Sequence, residues 1–291
     1  MKLRVLTAVV GIPLLLAFIY FDFGWETSWF DRFPLLVLLI GAAAAVGGRE
    51  FFRLGRDAGA RPLMVFGVIW ALLFVAAALF NGQRAASPEA AENVDWGIGA
   101  LLAAAAVLPL VWLTIFRRDV ALESWAWTLA GILYAGWMLG HWVMLRQLDH
   151  GRELVILAVF ATFACDTAAY FVGRTWGRHR MTPRVSPNKT WEGAAGGFAG
   201  AVAAAAALCY LLNLGDWVLP LSYLEAVAVG CLIGVGAQLG DLAESVVKRR
   251  AGVKDSGHLL PGHGGLLDRI DSLVFTGVIV YYFAMWYAPG P

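Results

Sequence analysis

The chain is 291 residues long, 60% hydrophobic and only 15% charged. Soluble domains run at about 45–50% apolar and about 25% charged residues, so an ordinary water-soluble protein is excluded. A net charge of +1 likewise excludes a strongly basic nucleic-acid binder, while 33 glycines and 13 tryptophans suit helices that pack closely in a bilayer and anchor at its surfaces.

A membrane span needs about 20 predominantly apolar residues. Nine stretches qualify in chain order: 5–21, 34–48, 63–80, 97–116, 125–145, 154–173, 194–214, 221–240 and 273–288. Nothing alternates as barrel strands do, and lipid leaves no water for open backbone, so the expected fold is all-α and polytopic with about nine transmembrane helices. The first stretch follows Lys2 and Arg4 as a secretory signal would. Phe21-Asp22-Phe23-Gly24-Trp25 behind it offers no small-residue cleavage site, so it is kept as a span.

Nine spans put the chain ends on opposite sides. With the N-terminus inside, eighteen of the 22 Lys and Arg residues fall in inner segments, and only Arg32, Arg84, Arg146 and Arg152 fall outside. That asymmetry orients the N-terminus and the basic loops toward the cytoplasm. The three cysteines, Cys165, Cys209 and Cys231, lie in apolar runs without metal-ligand spacing and read as small buried hydrophobes.

Residues 1–150 form an N-terminal region of about five spans with no constellation suggesting chemistry. Arg49, Glu50, Arg53 and Arg56 have helical spacing and read as a solvated or headgroup-facing surface. His141 reads as a hydrogen-bonded structural histidine, and 81–96, with Asn81-Gly82 and Pro88, as an outer loop. Residues 151–291 form a C-terminal region of about four spans, and its inner loops, 174–192 and 241–272, hold the polar chemistry.

Asp166 lies inside the sixth span, about two turns from its inner end. A carboxylate there either pairs with a neighbouring arginine or faces the interior, a water-filled cavity or a cation. The loop beyond carries Arg174, Arg178, His179, Arg180, Arg184, Ser186, Pro187, Lys189, Thr190 and Glu192. Ser186-Pro187 followed by Lys189-Thr190 and Gly193 looks like a turn delivering a lysine and hydroxyls to a helix N-terminus, which suits a phosphate.

The second loop is denser. If the eighth helix continues past Gly240, then Asp241, Ser245 and Lys248 share a face. Lys254-Asp255-Ser256-Gly257-His258 and Pro261-Gly262-His263-Gly264-Gly265 lead into Asp268-Arg269-Ile270-Asp271-Ser272 at the start of the ninth span. The glycines permit close approach of backbone to ligand, and the free amides of the following helix attract anions. Asp268 and Asp271, at i and i+3 with Asp241 or Asp166, suit Mg²⁺, which takes one or two carboxylates and completes its shell with water and phosphate oxygens. Two loop histidines do not make a zinc site. Five cations and five acids within 241–272 exceed what loop solvation asks for and indicate a phosphate-and-metal site.

The run Ser245-x-x-Lys248-Arg249-x4-Lys254-Asp255-x-Gly257-x-x-Leu260-Pro261-x-His263-Gly264-Gly265-x-x-Asp268-Arg269-x-Asp271 resembles the signature of the phosphatidate cytidylyltransferase (CDP-diacylglycerol synthase) family, without departure over 27 residues. Asp166-Thr167-x-Ala169-Tyr170, Gly173-Arg174 and Ser186-Pro187-x-Lys189-Thr190-x-Glu192-Gly193 look like that family too, so the recognisable motifs cover 165–272. The resemblance implies a bacterial-type, Mg²⁺-dependent enzyme of the inner membrane, with the possibility of a second metal or a monovalent cation. It would form CDP-diacylglycerol and pyrophosphate from CTP and phosphatidate as a homodimer in the bilayer, with its active site facing the cytoplasm.

The motif match and the chemistry together assign Asp268, Asp271, Asp241 and, less directly, Asp166 to metal. Lys248, Lys254, Arg269 and Lys189 would bind the triphosphate or the phosphatidate headgroup. His263, Gly264 and Gly265 would form a phosphate loop, and Glu192 and Asp255 would orient the cations. Arg174, Ser186, Thr190, Ser245 and Arg249 complete the expected substrate-binding set.

Two rivals compete. A CTP-dependent polyprenol or phytol-type lipid kinase would attack the γ-phosphorus. An ion-coupled transporter would use Asp166 and Asp241 near the bilayer midplane in two related halves, and no matching halves are visible. A purely structural scaffold has no use for a glycine-rich loop beside paired acids.

Overall fold

The computed structural model describes residues 13–23, 33–85, 94–117, 121–214, 218–257 and 264–287. The chain divides into two compact units, Met1–Gln147 with Arg250–Asp268, and Leu148–Arg249 with Arg269–Pro291. The segment 250–268, assigned by sequence to the C-terminal region, clusters with the first unit instead.

In the first unit, α1 (13–20) precedes the antiparallel pair β1 (Asp22–Phe23) and β2 (Phe33–Pro34). Helices α2 (Leu36–Asp57), α3 (Met64–Ala85) and α4 (Val94–Phe116) follow. Helix α5 (Ala121–Ile132) widens into a π-helical segment, Leu133–Met138, before α6 (Leu139–Gln147). The core forms where large rings meet missing side chains. Phe52 is fully buried, and its ring fills the space that a Cβ on Gly67 of α3 or Gly131 of α5 would need. Phe51 packs edge-on to Trp127 and stacks on Tyr134. The link from α2 to α3 is tied to α5, where Ser124 Oγ and Thr128 Oγ1 accept from the Arg61 and Leu63 amides at 2.9 and 3.0 Å. His141 is buried, with Nδ1 2.9 Å from the Trp137 carbonyl, and so has the structural environment expected of it.

In the second unit, α7 (Gly151–Trp176) is followed by the hairpin β3 (Arg180–Thr182) and β4 (Ser186–Thr190), then α8 (Trp191–Leu212), α9 (Tyr223–Arg250) and α10 (Leu267–Tyr287). Small residues set the helix spacing. A Cβ on Gly197 would sit 3.0 Å from the Cys165 carbonyl, one on Gly230 2.9 Å from Val202 Cα, and one on Gly240 2.6 Å from the Asp271 carbonyl. Helix α8 therefore lies tightly on α7, and α9 presents glycine to α8 on one face and to α10 on another. Without a hydrophobic force between helices in lipid, such close backbone packing supplies much of the association energy. Buried hydroxyls add direct bonds: Thr162 Oγ1 of α7 donates to Thr276 Oγ1 of α10 at 3.0 Å. Cys165 and Cys209 are free and buried, and Cys231 is half-buried.

Seven helices among the described residues are long and apolar enough to cross a membrane: α3, α4, α5 through α6, and α7 to α10. The chain is thus an all-α, polytopic membrane protein. Helix α2 is as long as several of these but ends in Arg49, Glu50, Arg53, Arg56 and Asp57, and it falls outside that set. Most of the first expected span, 5–21, lies outside the described residues. The span count of nine is therefore matched in seven helices. Two short strand pairs depart from the purely helical expectation, and the basic loop 174–192 contains the β3–β4 hairpin.

Candidate active site

Within the second unit, polar side chains from four elements converge. Thr190, the last residue of β4, is the N-cap of α8, its Oγ1 accepting from the Gly193 amide at 3.1 Å. Thr190 fixes the exit of β4, and Lys189 just before it reaches α9, with Nζ 2.8 Å from Asp241 Oδ2. The ammonium nitrogen is buried, and Asp241 is its ion-pair partner among the described residues.

Helix α9 does continue to Arg250, as the shared face of Asp241, Ser245 and Lys248 requires. Ser245 Oγ donates to Asp241 Oδ1 at 3.5 Å, but Lys248 turns to Glu244 at 2.6 Å, a nearly buried pair one helical turn apart. The cation beside Asp241 is thus Lys189, 52 positions away in sequence.

Ser272 joins the carboxylates of α7 and α10. Its Oγ donates to Asp166 Oδ1 at 3.3 Å, and its amide donates to Asp271 Oδ1 at 2.7 Å. The charges of Asp241, Glu244 and Asp166 all act on Asp271, and the charges of Asp241 and Lys189 act on Asp166. Three aspartates, from α7, α9 and α10, therefore lie close enough to feel one another's charge, with Lys189 beside Asp241 and Asp166. Asp166 lies ten residues before the end of α7, nearly three turns, because the helix runs on to Trp176.

The rest of the hairpin set is placed around this cluster. Glu192 accepts from the Arg178 and His179 amides at 3.1–3.3 Å and meets His179 Nδ1 at 2.6 Å, so it holds the entry to β3 and not a lysine. Arg249 Nε donates to the Val185 carbonyl at 2.9 Å, tying the end of α9 to the hairpin turn. Arg174 is exposed and donates to Tyr170 Oη at 2.7 Å. Ser186 lies opposite Thr182 in the hairpin, and Arg269 is exposed.

The first unit holds the other group. Asp268 Oδ2 accepts from the Gly265 amide at 2.8 Å, the Ser256 amide at 2.9 Å and Ser256 Oγ at 3.1 Å. Gly264 has φ +81°, and a Cβ there would lie 2.6 Å from Asp268 Oδ2, so the turn into α10 requires glycine on both counts. Lys254 and Asp255 are exposed. His258 and His263 lie outside the described residues.

Sequence reasoning missed Glu50. It is 5% exposed, with Oε1 accepting from the Leu266 amide at 3.1 Å and Oε2 accepting from the Leu267 amide at 2.9 Å and Ser256 Oγ at 3.1 Å. Glu50 and Asp268 thus occupy the amides of residues 265–267, which the sequence offered as an anion seat. The start of α10 is capped by the protein's own carboxylates. A finer reading of the spacing could have found Glu50. Ala43, Gly47, Glu50 and Leu54 follow a 4-3-4 rhythm and are all buried, whereas Arg49, Arg53 and Arg56 lie on the exposed side.

Among the described residues, no three His, Cys, Asp or Glu side chains form a ready-made metal cage. The model of the cytidylyltransferase family matches residues 2–287. The chain is 31% identical over 315 aligned residues to a phosphatidate cytidylyltransferase of Synechocystis sp., covering 98% of this chain and 97% of that protein. It is 29% identical to the Bacillus subtilis phosphatidate cytidylyltransferase over 97% of both chains. Over 198 residues it is 39% identical to that of Brucella suis, covering 66% of this chain and 71% of the relative. A family match running from the second residue through the end of α10 takes in both polar groups and every helix between them, and the chain belongs to the cytidylyltransferase family.

Proposed function

We propose that the protein transfers a cytidylyl group from CTP to phosphatidate, forming CDP-diacylglycerol and pyrophosphate for phospholipid synthesis. The observation that carries the reading is the family match over nearly the whole chain, together with a cluster of acids and a lysine set in membrane-spanning helices. A phosphate oxygen of phosphatidate attacks the α-phosphorus of CTP, and the bond from that phosphorus to the bridging oxygen of the β-phosphate breaks. Phosphate monoesters have a second pKa near 6, so the nucleophile is largely ionised and needs no strong base. The barrier lies in bringing two polyanions together, which fixed cations and oriented donors lower. Lys189, 2.8 Å from Asp241, is the cation beside the aspartates of the second unit. Lys248, Lys254, Arg269 and Arg174 are assigned to triphosphate or headgroup by the resemblance.

A divalent cation fits the residues present. Asp166, Asp241 and Asp271 outnumber Lys189, and an uncompensated carboxylate in a membrane helix is expensive. Mg²⁺ needs only one or two protein carboxylates, so the lack of a tight three-ligand cage among the described residues is no obstacle. When bound, it would neutralise charge on the phosphates in the transition state. Asp241 and Asp271, with Asp166 behind Ser272, would hold it. Asp268 Oδ2 already accepts from the Gly265 and Ser256 amides and shares the Ser256 hydroxyl with Glu50, which favours a role in shaping its loop.

The Lys/Arg asymmetry supports basic loops on the cytoplasmic side, where CTP is available and a phosphatidate headgroup lies, and the resemblance implies the inner membrane. The homodimer is carried over from the resemblance.

The direct test supplies purified protein in detergent with phosphatidate, Mg²⁺ and CTP labelled at either the α- or the γ-phosphate. The α-label should enter lipid and the γ-label should leave as pyrophosphate, with both lost in Asp241→Asn. The γ-label appearing in an added polyprenol would make the protein a lipid kinase, and no lipid label from either substrate would overturn the reading.

A further inference from the structure

Glu50 stands in a part of the chain where the sequence shows no chemistry, yet its carboxylate is buried and bonds to the segment that carries the family signature. Those partners lie on both sides of the segment's glycine-rich sequence: Ser256 before it, Leu266 and Leu267 after it. The packing leaves no slack. A Cβ on Gly257 would lie 2.8 Å from Glu50 Oε1, and one on Gly265 2.5 Å from Glu50 Oε2. The signature glycines at 257 and 265 therefore make room for this carboxylate, a role distinct from admitting a phosphate.

Ser256 Oγ lies 3.1 Å from Glu50 Oε2 and 3.1 Å from Asp268 Oδ2, so one hydroxyl links the α2 acid to the α10 acid. Glu50 is placed on a rigid helix whose neighbours Phe51 and Phe52 are buried. The bonds it makes to amides at a helix start are charge-assisted and sit where the helix dipole favours an anion.

We infer that Glu50 is a positioning residue of the transfer reaction: it clamps both flanks of the signature loop to α2, fixing Lys254 and Asp255 for the nucleotide and closing the α10 amides to substrate phosphate. This rests on the proposed cytidylyl transfer. Glu50→Gln keeps the shape but has one acceptor oxygen where the site offers donors to both. At least one of the Leu266 and Leu267 amides must then lose its partner or face an NH₂ group.

The experiment measures initial rates against CTP concentration for the wild type, Glu50→Gln, Glu50→Asp, Ser256→Ala and the Glu50→Gln/Ser256→Ala double variant, each in detergent with its thermal unfolding recorded. Glu50→Gln should raise KM for CTP about tenfold or more at matched folded fraction, with Glu50→Asp between it and the wild type. Ser256→Ala should shift KM in the same direction, and the double variant should be less than multiplicative, since the two groups share one network. A fall in kcat that follows the loss of folded protein at unchanged KM would make Glu50 merely structural and overturn the inference. So would single effects that multiply independently. Should Glu50→Gln not fold, an unchanged KM in Ser256→Ala overturns the inference by itself. Absence of CDP-lipid from the wild type would instead defeat the functional reading, so the two failures are separable.

Discussion

Lys189 and Asp241 meet at 2.8 Å although one lies in a strand and the other within a transmembrane helix. Removing one partner of a half-buried pair leaves the other charge uncompensated, whereas removing both is often close to neutral for stability. Lys189→Met should lower the unfolding temperature, Asp241→Asn should lower it less because Asp166 still lies near Lys189, and the double variant should regain part of the Lys189→Met loss. Transfer activity should stay down by on the order of 100-fold or more in all three, the usual cost of losing a group that stabilises transition-state charge. Unfolding in detergent and labelled-CTP turnover read the two effects separately. Both residues are legible in the sequence as polar groups of one site, but their pairing is not. Spacing along α9 points Asp241 toward Lys248, which pairs with Glu244 instead. Glu50 was hidden for a similar reason, since three arginines around it dominate the local pattern and only their separate face on α2 exposes the acid on the other.

Helix α9 carries glycine on two faces, and its register decides where Asp241 sits. Gly240→Ala would drive a methyl to 2.6 Å from the Asp271 carbonyl and 3.1 Å from the Phe275 ring, parting α9 from α10 beside the aspartates. We expect a loss of about 1–3 kcal/mol, the usual cost of overpacking, and a larger fractional loss of activity than of folded protein. Thr190→Ala should cost about 1 kcal/mol through loss of the α8 cap, measured by the same unfolding assay. The helices themselves follow directly from apolar length, since lipid forbids open backbone. The β3–β4 hairpin does not. Its strands are three and five residues long, with Pro183 between them and Pro187 inside the second, and no alternation marks them. Cross-strand pairing and the anchors from Glu192 and Arg249 define the hairpin, and none of these is local enough to leave a periodic signal.

Across the whole chain, the charge asymmetry makes a sided prediction. A cysteine placed at Arg180 should resist a membrane-impermeant maleimide in intact cells and react in inverted vesicles, while one at Asp149 should do the reverse, as both positions are exposed. Reaction of both from one side would refute the orientation. Chelation of divalent ions should abolish transfer, and Mg²⁺ should restore it without restoring Asp241→Asn. The sequence by itself determined the membrane class, the helical architecture, the family and the two polar segments, because hydropathy, charge distribution and motif spacing are properties of contiguous chain. Tertiary structure alone decided which charges meet: Lys189 with Asp241, Asp166 with Asp271 through Ser272, and Glu50 with the start of α10. Those pairings join residues from 52 to 217 positions apart. A carboxylate finds its partner through the packing of whole helices, and that packing is fixed by glycine contacts and ring stacking distributed along the chain.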